Sequence, residues 1–461
     1  MAKKLSTEIN SSAMQSRTNT GRPPNPSAGN GRWWIDGDIA KIAMSDGSDI
    51  ILVDSEGNQL ITVRQTRDQA DAFLNPIRVE PQTIFDSKQI FDEGGGVALS
   101  LYYSDGQVSG GGTSSAFDQV NAKTTLSTTL NTAGLRRRRT FRWFNYQPGK
   151  GQRVVLTRNF QDAVANNEKR SGLFSPTDGV FFMVDGTGIN AVIRKNGSDT
   201  VIPEANWTYE GVLFSTRGYT IDLTTTLILF FDYEWLGVGT VRFGLQLGSE
   251  IVWVHEAIHA NVASEVYMSS PNLPICDEIE NDGTGVAADL DTICGTVISF
   301  GGQQTTGQTT AFDRGNSSFS TQADNDLYPL ISFRLRSGWE GLSAIPISVS
   351  IISSTNANFR WFMIRNPTIA GTDAASWQTK TESGLQYDIS RDNTNKLSGG
   401  HVITARYAPN AADVANEEVI STLLPGVDYA GVPDEFVLGV QNVFASTAET
   451  YLAAVNWQEL N

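Results

Sequence analysis

Between Leu227 and Val254 the apolar positions recur with a period of two rather than 3.6. An apolar run, Leu227 to Phe231, is followed by the turn signal Gly237-Val238-Gly239. Val241 to Leu247 then alternates, Gly248-Ser249 marks a two-residue hairpin turn, and Ile251 to Val254 is β-branched and aromatic. This predicts an antiparallel meander in which Val241, Phe243, Leu245 and Leu247 face an interior, with Arg242 on the opposite face.

The same alternation runs through most of the chain. Ile35, Ile39 to Ile42, Ile50 to Val53 and Leu60 to Val63 are separated by Asp36-Gly37, Asp46-Gly47 and Glu56-Gly57-Asn58, which reads as a small unit of hairpins. Strand patterning resumes at Thr83 to Phe91 and at Val97 to Tyr103, between the glycine turns at 94–96 and 110–112. It returns at Leu330 to Arg336, Ile345 to Ile352, Phe359 to Arg365, His401 to Arg406, Glu435 to Val440 and Thr447 to Trp457. Helical spacing is confined to Gln65 to Leu74, with room for a short helix from Ala257 to Met268 ended by Pro271.

The expected fold is therefore all-β: an antiparallel, jelly-roll-like β-sandwich body preceded by a flexible N-terminal arm and a small β-unit. The segments are a basic arm over 1–31, a hairpin unit over 32–67, the main sandwich over 68–300 and a polar loop or linker over 301–325. Strands over 326–461 either complete the sandwich or form a second β-domain. The 43 glycines among 461 residues agree with a turn-rich β-protein.

Charge changes the picture in one respect. The formal net charge is −16, which disfavours a nucleic-acid binder, because phosphate affinity depends on cationic contacts. Residues 1–32 nevertheless carry five basic residues and one acidic, a net of +4, so the remainder carries −20. A cationic arm on an acidic body suits docking onto a neighbouring subunit of the same kind. The start of the sequence lacks a secretory signal pattern, and no apolar run approaches membrane-spanning length, so no membrane partner is expected.

The one string that looks like chemistry is His255-Glu256-Ala257-Ile258-His259. On a helix it would place two imidazoles on one face beside a general base, as in a zinc metallopeptidase. The β-branched residues leading into it favour a strand instead, at the edge of a sandwich. Glu278 and Glu280 lie at a tempting spacing for a third ligand, but they follow the loop sequence Ser269-Ser270-Pro271-Asn272-Leu273-Pro274. His401 lies far away in sequence. No catalytic, cofactor or metal site is expected; His255, Glu256 and His259 are the candidates under the peptidase alternative.

Other constellations have bland readings. Arg136 to Arg142, interleaved with Phe141, Trp143 and Phe144, resembles a single-strand nucleic-acid surface, but on a strand it reads as one charged face neutralised by the acidic body or a neighbour. Asp232 and Glu234 would share a strand face, like a glycosidase pair, or else pair with arginines such as Arg242. Cys276 and Cys294 are expected to be buried free thiols.

Several strings carry a family resemblance. Ile84-Phe85-Asp86-Ser87-Lys88-Gln89, Phe144-Asn145-Tyr146-Gln147-Pro148-Gly149-Lys150 and Gly179-Val180-Phe181-Phe182 are followed by Asp232 to Gly239, Val241-Arg242-Phe243-Gly244, Pro271-Asn272-Leu273-Pro274 and Asn456-Trp457. Together they resemble uncharacterised structural proteins of tailed bacteriophages, over roughly residues 83 to 300. The resemblance implies a non-enzymatic β-sandwich virion component at the tail, collar, fibre attachment or capsid surface, assembled in the host cytoplasm. It would be homo-oligomeric and contact other virion proteins. A carbohydrate-binding receptor module is a further alternative, resting on tryptophan and tyrosine in a β-framework.

Overall fold

The computed structural model describes four strands between residues 32 and 60, and residues 80–460 apart from short segments at 95–96, 99–101, 210–211, 303–306, 355–357, 409–416, 419–424 and 445–446. The chain divides into two units, Met1–Val79 and Glu80–Asn461. In the first, Arg32–Asp36, Ile39–Ala43, Ile50–Val53 and Gln59–Leu60 form an antiparallel meander in chain order. These strands fall on the apolar segments separated by the Asp-Gly and Glu-Gly-Asn signals. The arm over 1–31 and the helix expected over Gln65 to Leu74 lie outside the described residues.

The second unit is built of antiparallel strands around two large hydrophobic cores, with two smaller apolar clusters among the described residues. In the first sandwich one sheet runs in the order Glu250–Ala257, Val241–Leu247, Leu227–Tyr233, Gln152–Asn159, Ala288–Phe300, Lys123–Thr128 and Thr113–Asp118, with Pro81–Lys88 also pairing Ala288–Phe300. The facing sheet runs Ser198–Pro203, Gly188–Lys195, Gly179–Asp185, Asn167–Phe174, Ile275–Asn281, Gly134–Thr140 and Tyr103–Gly110. The predicted faces are those observed: Val241, Phe243 and Leu245 are fully buried, and Leu247 packs at the margin of the same core. The Phe243 ring meets Phe182 of the facing sheet at 5.5 Å and Phe231 at 5.8 Å.

The polar run over 301–325, expected to be loop, instead contributes Gln308–Asp313 and Phe319–Ser320. Both pair with Thr450–Leu460, which also pairs Ser343–Ser353. Opposite lies a sheet ordered Gln378–Thr379, Leu385–Asp388, Leu327–Leu335, Phe436–Asn442, Phe359–Arg365 and His401–Ala408. Trp457, Phe312, Phe333, Trp361 and Tyr451 dominate the core between them. The low-complexity composition concealed these strands, because Thr and Gln on the outward positions hide the inward Phe312 and Phe319 from any hydropathy window.

Candidate functional site

His255, Glu256 and Ala257 close the edge strand Glu250–Ala257, and Ile258 and His259 lie beyond it. The helix admitted from Ala257 to Met268 is reduced to a single turn, in which Val262 and Ala263 donate their backbone N–H groups to the carbonyl of His259. Register decides which side chain of the motif turns toward the core. Phe243 pairs with His255 and Gly244 with Trp253, so Val254 is an extra residue in a bulge. His255 therefore stands on the Phe243 side, half-buried near the Thr208 backbone N–H at 3.4 Å, while Glu256 stands on the outer face, 2.9 Å from Arg242. Burial lowers the His255 pKa.

His259 has a different role. Its Nδ1 lies 2.8 Å from the carbonyl oxygen of Gly239, and its ring stacks on Tyr267 at 4.3 Å, tying the Gly237-Val238-Gly239 turn to the following loop. A peptidase motif needs both imidazoles on one helical face; here a bulged strand end and a loop hold them to separate partners. Glu278 and Glu280 belong to a strand, Ile275–Asn281, which follows the loop sequence. His401 opens a strand and is exposed. Among the described residues, no group of three His, Cys, Asp or Glu side chains is placed to hold a metal ion.

On the same outer face, directly opposed residues of four strands form a charge row: Glu256, Arg242, Asp232, Arg153. Asp232 pairs with Arg153 at 2.6 Å rather than with Arg242, which is taken by Glu256. Glu234 lies just beyond the end of Leu227–Tyr233, yet it keeps to the side of Asp232 as the sequence suggested: a Cβ placed at Gly151 would meet Asp232 Oδ1 at 3.9 Å and Glu234 Cγ at 4.0 Å.

The arginine strand Gly134–Thr140 differs most from expectation. Rather than carrying one charged face, it buries Arg137, Arg138 and Arg139 on both sides. Arg136 and Arg138 meet Asp105 at 2.7 and 3.5 Å, and Arg138 also donates to Gln89. Arg137 binds Glu278 at 2.6 Å, and Arg170 reaches the other oxygen of Glu278 at 3.1 Å. Burial would raise the Glu278 pKa, but the two guanidinium groups outweigh it and hold the carboxyl below its ordinary range.

From the same strand, Arg137 donates to the carbonyl of Tyr429 at 3.0 Å and Arg139 to that of Asp428 at 2.9 Å. The Val427 N–H bonds to Phe141 O, and the Arg365 guanidinium lies 3.9 Å from the centre of the Phe141 ring. These contacts fasten the loop 425–434 of the second sandwich onto the first. Cys276 and Cys294 are free, one in each sheet of the first sandwich, and burial pushes the Cys276 thiol up.

A feature that sequence reasoning missed lies in the second sandwich. A cleft of about 340 Å³ opens between the segment Ala311 to Ser317 and a wall made by Thr379, Lys380 and Tyr387. Phe312 anchors it, with its ring 3.5 Å from that of Trp457 and stacked on Tyr387 at 4.3 Å. Arg314, almost fully buried, donates to Leu330 O and Ser317 O, and the Asp313 carboxylate accepts from the Gly315 N–H at 2.6 Å. The walls are about seventy residues apart in sequence, and the only signal was the polar run over 301–325.

No family model and no curated protein matches the chain. Solved structures give distant likenesses. A protein of unknown function from Shewanella oneidensis MR-1 is 10% identical, covering 50% of this chain and 91% of its own, with a TM-score of 0.32. The Bacillus licheniformis β-glucanase is 8% identical over 49% of this chain and 99% of its own, with a TM-score of 0.30. The CBM2 module of the evolved Dit of Lactobacillus casei BL23 phage J-1 is 9% identical over 50% and 100%, with a TM-score of 0.32. Such likenesses concern β-sandwich architecture and say nothing of chemistry.

Proposed function

We propose that this chain is a non-enzymatic structural component of a tailed-bacteriophage particle, acting through contacts between subunits and with other virion proteins. The observation that carries the reading is the arginine joint: the most conspicuous charged string in the sequence is spent on bracing two β-sandwiches into one unit. The side chains that would serve a hydrolase are likewise used as braces, Glu256 by Arg242, Asp232 by Arg153 and His259 by Gly239 O. The resemblance of residues 83 to 300 to phage structural proteins points the same way, and the net +4 of residues 1–32 against −20 on the remainder supplies an attraction between copies.

The test is mass spectrometry of purified particles of the virus that encodes the chain, with the full chain and with residues 1–31 deleted. The full chain is expected in many copies per particle, and the deletion is expected to lower incorporation while the melting temperature of the isolated protein stays within a few degrees. Absence of the full chain from purified particles would overturn the reading.

A further inference from the structure

The cleft between Asp313 and Lys380 has the composition of a site for a neutral, polyhydroxylated ligand, and we infer that it binds a saccharide unit. Its two walls carry opposite charges that do not pair with each other. Asp313 keeps one carboxylate oxygen beyond the bond to Gly315 N, and Lys380 uses one of its three donor positions on Ala311 O at 2.7 Å. The third charge, Arg314, is directed into the protein by its bonds to Leu330 O and Ser317 O. A ligand in the cleft therefore meets one acceptor anion and one donor cation. A singly charged group would lose to one wall what it gains from the other, whereas adjacent hydroxyls, each donor and acceptor at once, satisfy both walls.

The remaining lining completes that pattern. Asn316, Thr379 and Tyr387 also line the cleft and carry further donors and acceptors, and Tyr387 brings an aromatic ring of the kind on which the C–H faces of a pyranose rest. The ring is backed by Phe312, on which it stacks and which in turn packs on Trp457, and the opposite wall is pinned by buried Arg314. A volume of about 340 Å³ sits at the small end of ligand sites and fits one or two sugar rings.

This inference goes beyond the structural role proposed above and is tested apart from it, on the purified full chain. A panel of immobilised neutral glycans (glucose-, galactose- and N-acetylglucosamine-terminated) would be probed alongside sialylated glycans and inorganic phosphate. At least one neutral glycan is expected to bind, and Asp313→Asn, Lys380→Gln and Tyr387→Phe are each expected to weaken it, the two charge variants by roughly tenfold or more. Tyr407→Ala, which removes an exposed aromatic elsewhere, is expected to leave binding unchanged. Circular dichroism of each variant separates loss of binding from loss of fold. Failure of every neutral glycan to bind, equal binding by the cleft variants, or binding of only sialylated glycans or phosphate would overturn the inference.

Discussion

The ring of Tyr429 lies on the backbone of Gly106: a Cβ at that glycine would stand 2.1 Å from the tyrosine Cζ, a distance no side chain can occupy. Gly106 belongs to the first sandwich and Tyr429 to the loop that fastens the second, beside the carbonyls held by Arg137 and Arg139. Gly106→Val is therefore expected to expel Tyr429 and loosen the joint while leaving both cores intact. Hydrogen exchange should quicken over residues 425–434 and not in Leu227–Tyr233 or Phe436–Asn442. An unchanged pattern would show that the loop docks without its tyrosine.

Phe243 is fully buried between three aromatic neighbours, whereas Arg242, its chain neighbour, is about half exposed in a pair with Glu256. Phe243→Ala should cost about 3 to 5 kcal/mol through the cavity it leaves. Arg242→Ala should cost about 1 kcal/mol or less, as exposed pairs do. Denaturant unfolding of the two variants measures the contrast.

Arg158 and Asp277 form a two-point ion pair inside the first sandwich, at 2.7 and 2.9 Å, and Ser171 donates to the same carboxylate at 2.6 Å. Both charged side chains are essentially inaccessible. Arg158→Met leaves a buried carboxylate without its counter-charge and should cost about 3 to 5 kcal/mol. Adding Asp277→Asn should recover part of that loss, since the orphaned charge is then removed. A double variant no more stable than Arg158→Met alone would show that the cost lies in packing rather than charge.

Lys169 is buried, with its ammonium donating to the carbonyls of Phe160 at 2.5 Å and Asp162 at 2.8 Å. Burial pulls its pKa from 10.5 down to about 8. Below pH 8 both states hold the proton and the cost of burying the charge is felt in full. Between pH 8 and 10.5 the unfolded chain is protonated where the folded one is not, so this group raises stability as pH rises through that window. The stability of the wild type relative to Lys169→Met should increase across it, by up to about 1.4 kcal/mol per pH unit. A flat difference between the two proteins would refute the shift.

The sequence by itself determined the class of fold and much of its local register. Alternation over 241–247 sets which side of the strand is buried, because side chains of a strand point alternately to its two faces and only one of them meets the core. Gly237-Val238-Gly239 and Gly248-Ser249 likewise marked their turns, since Gly237 and Gly248 take left-handed backbone angles. What only the tertiary structure decided was the partner of each charge. The extra residue at Val254 turns His255 rather than Glu256 to the Phe243 side, and no local pattern announces a bulge whose existence depends on the neighbouring strand. The arginines of Gly134–Thr140 could not be read as a joint from sequence, because Glu278, Asp428 and Tyr429 reach them only after the chain has returned from about 140 and 290 residues away. Asp313 and Lys380 line one cleft for the same reason: periodicity fixes the face on which a residue stands, and packing between distant strands fixes what it meets there.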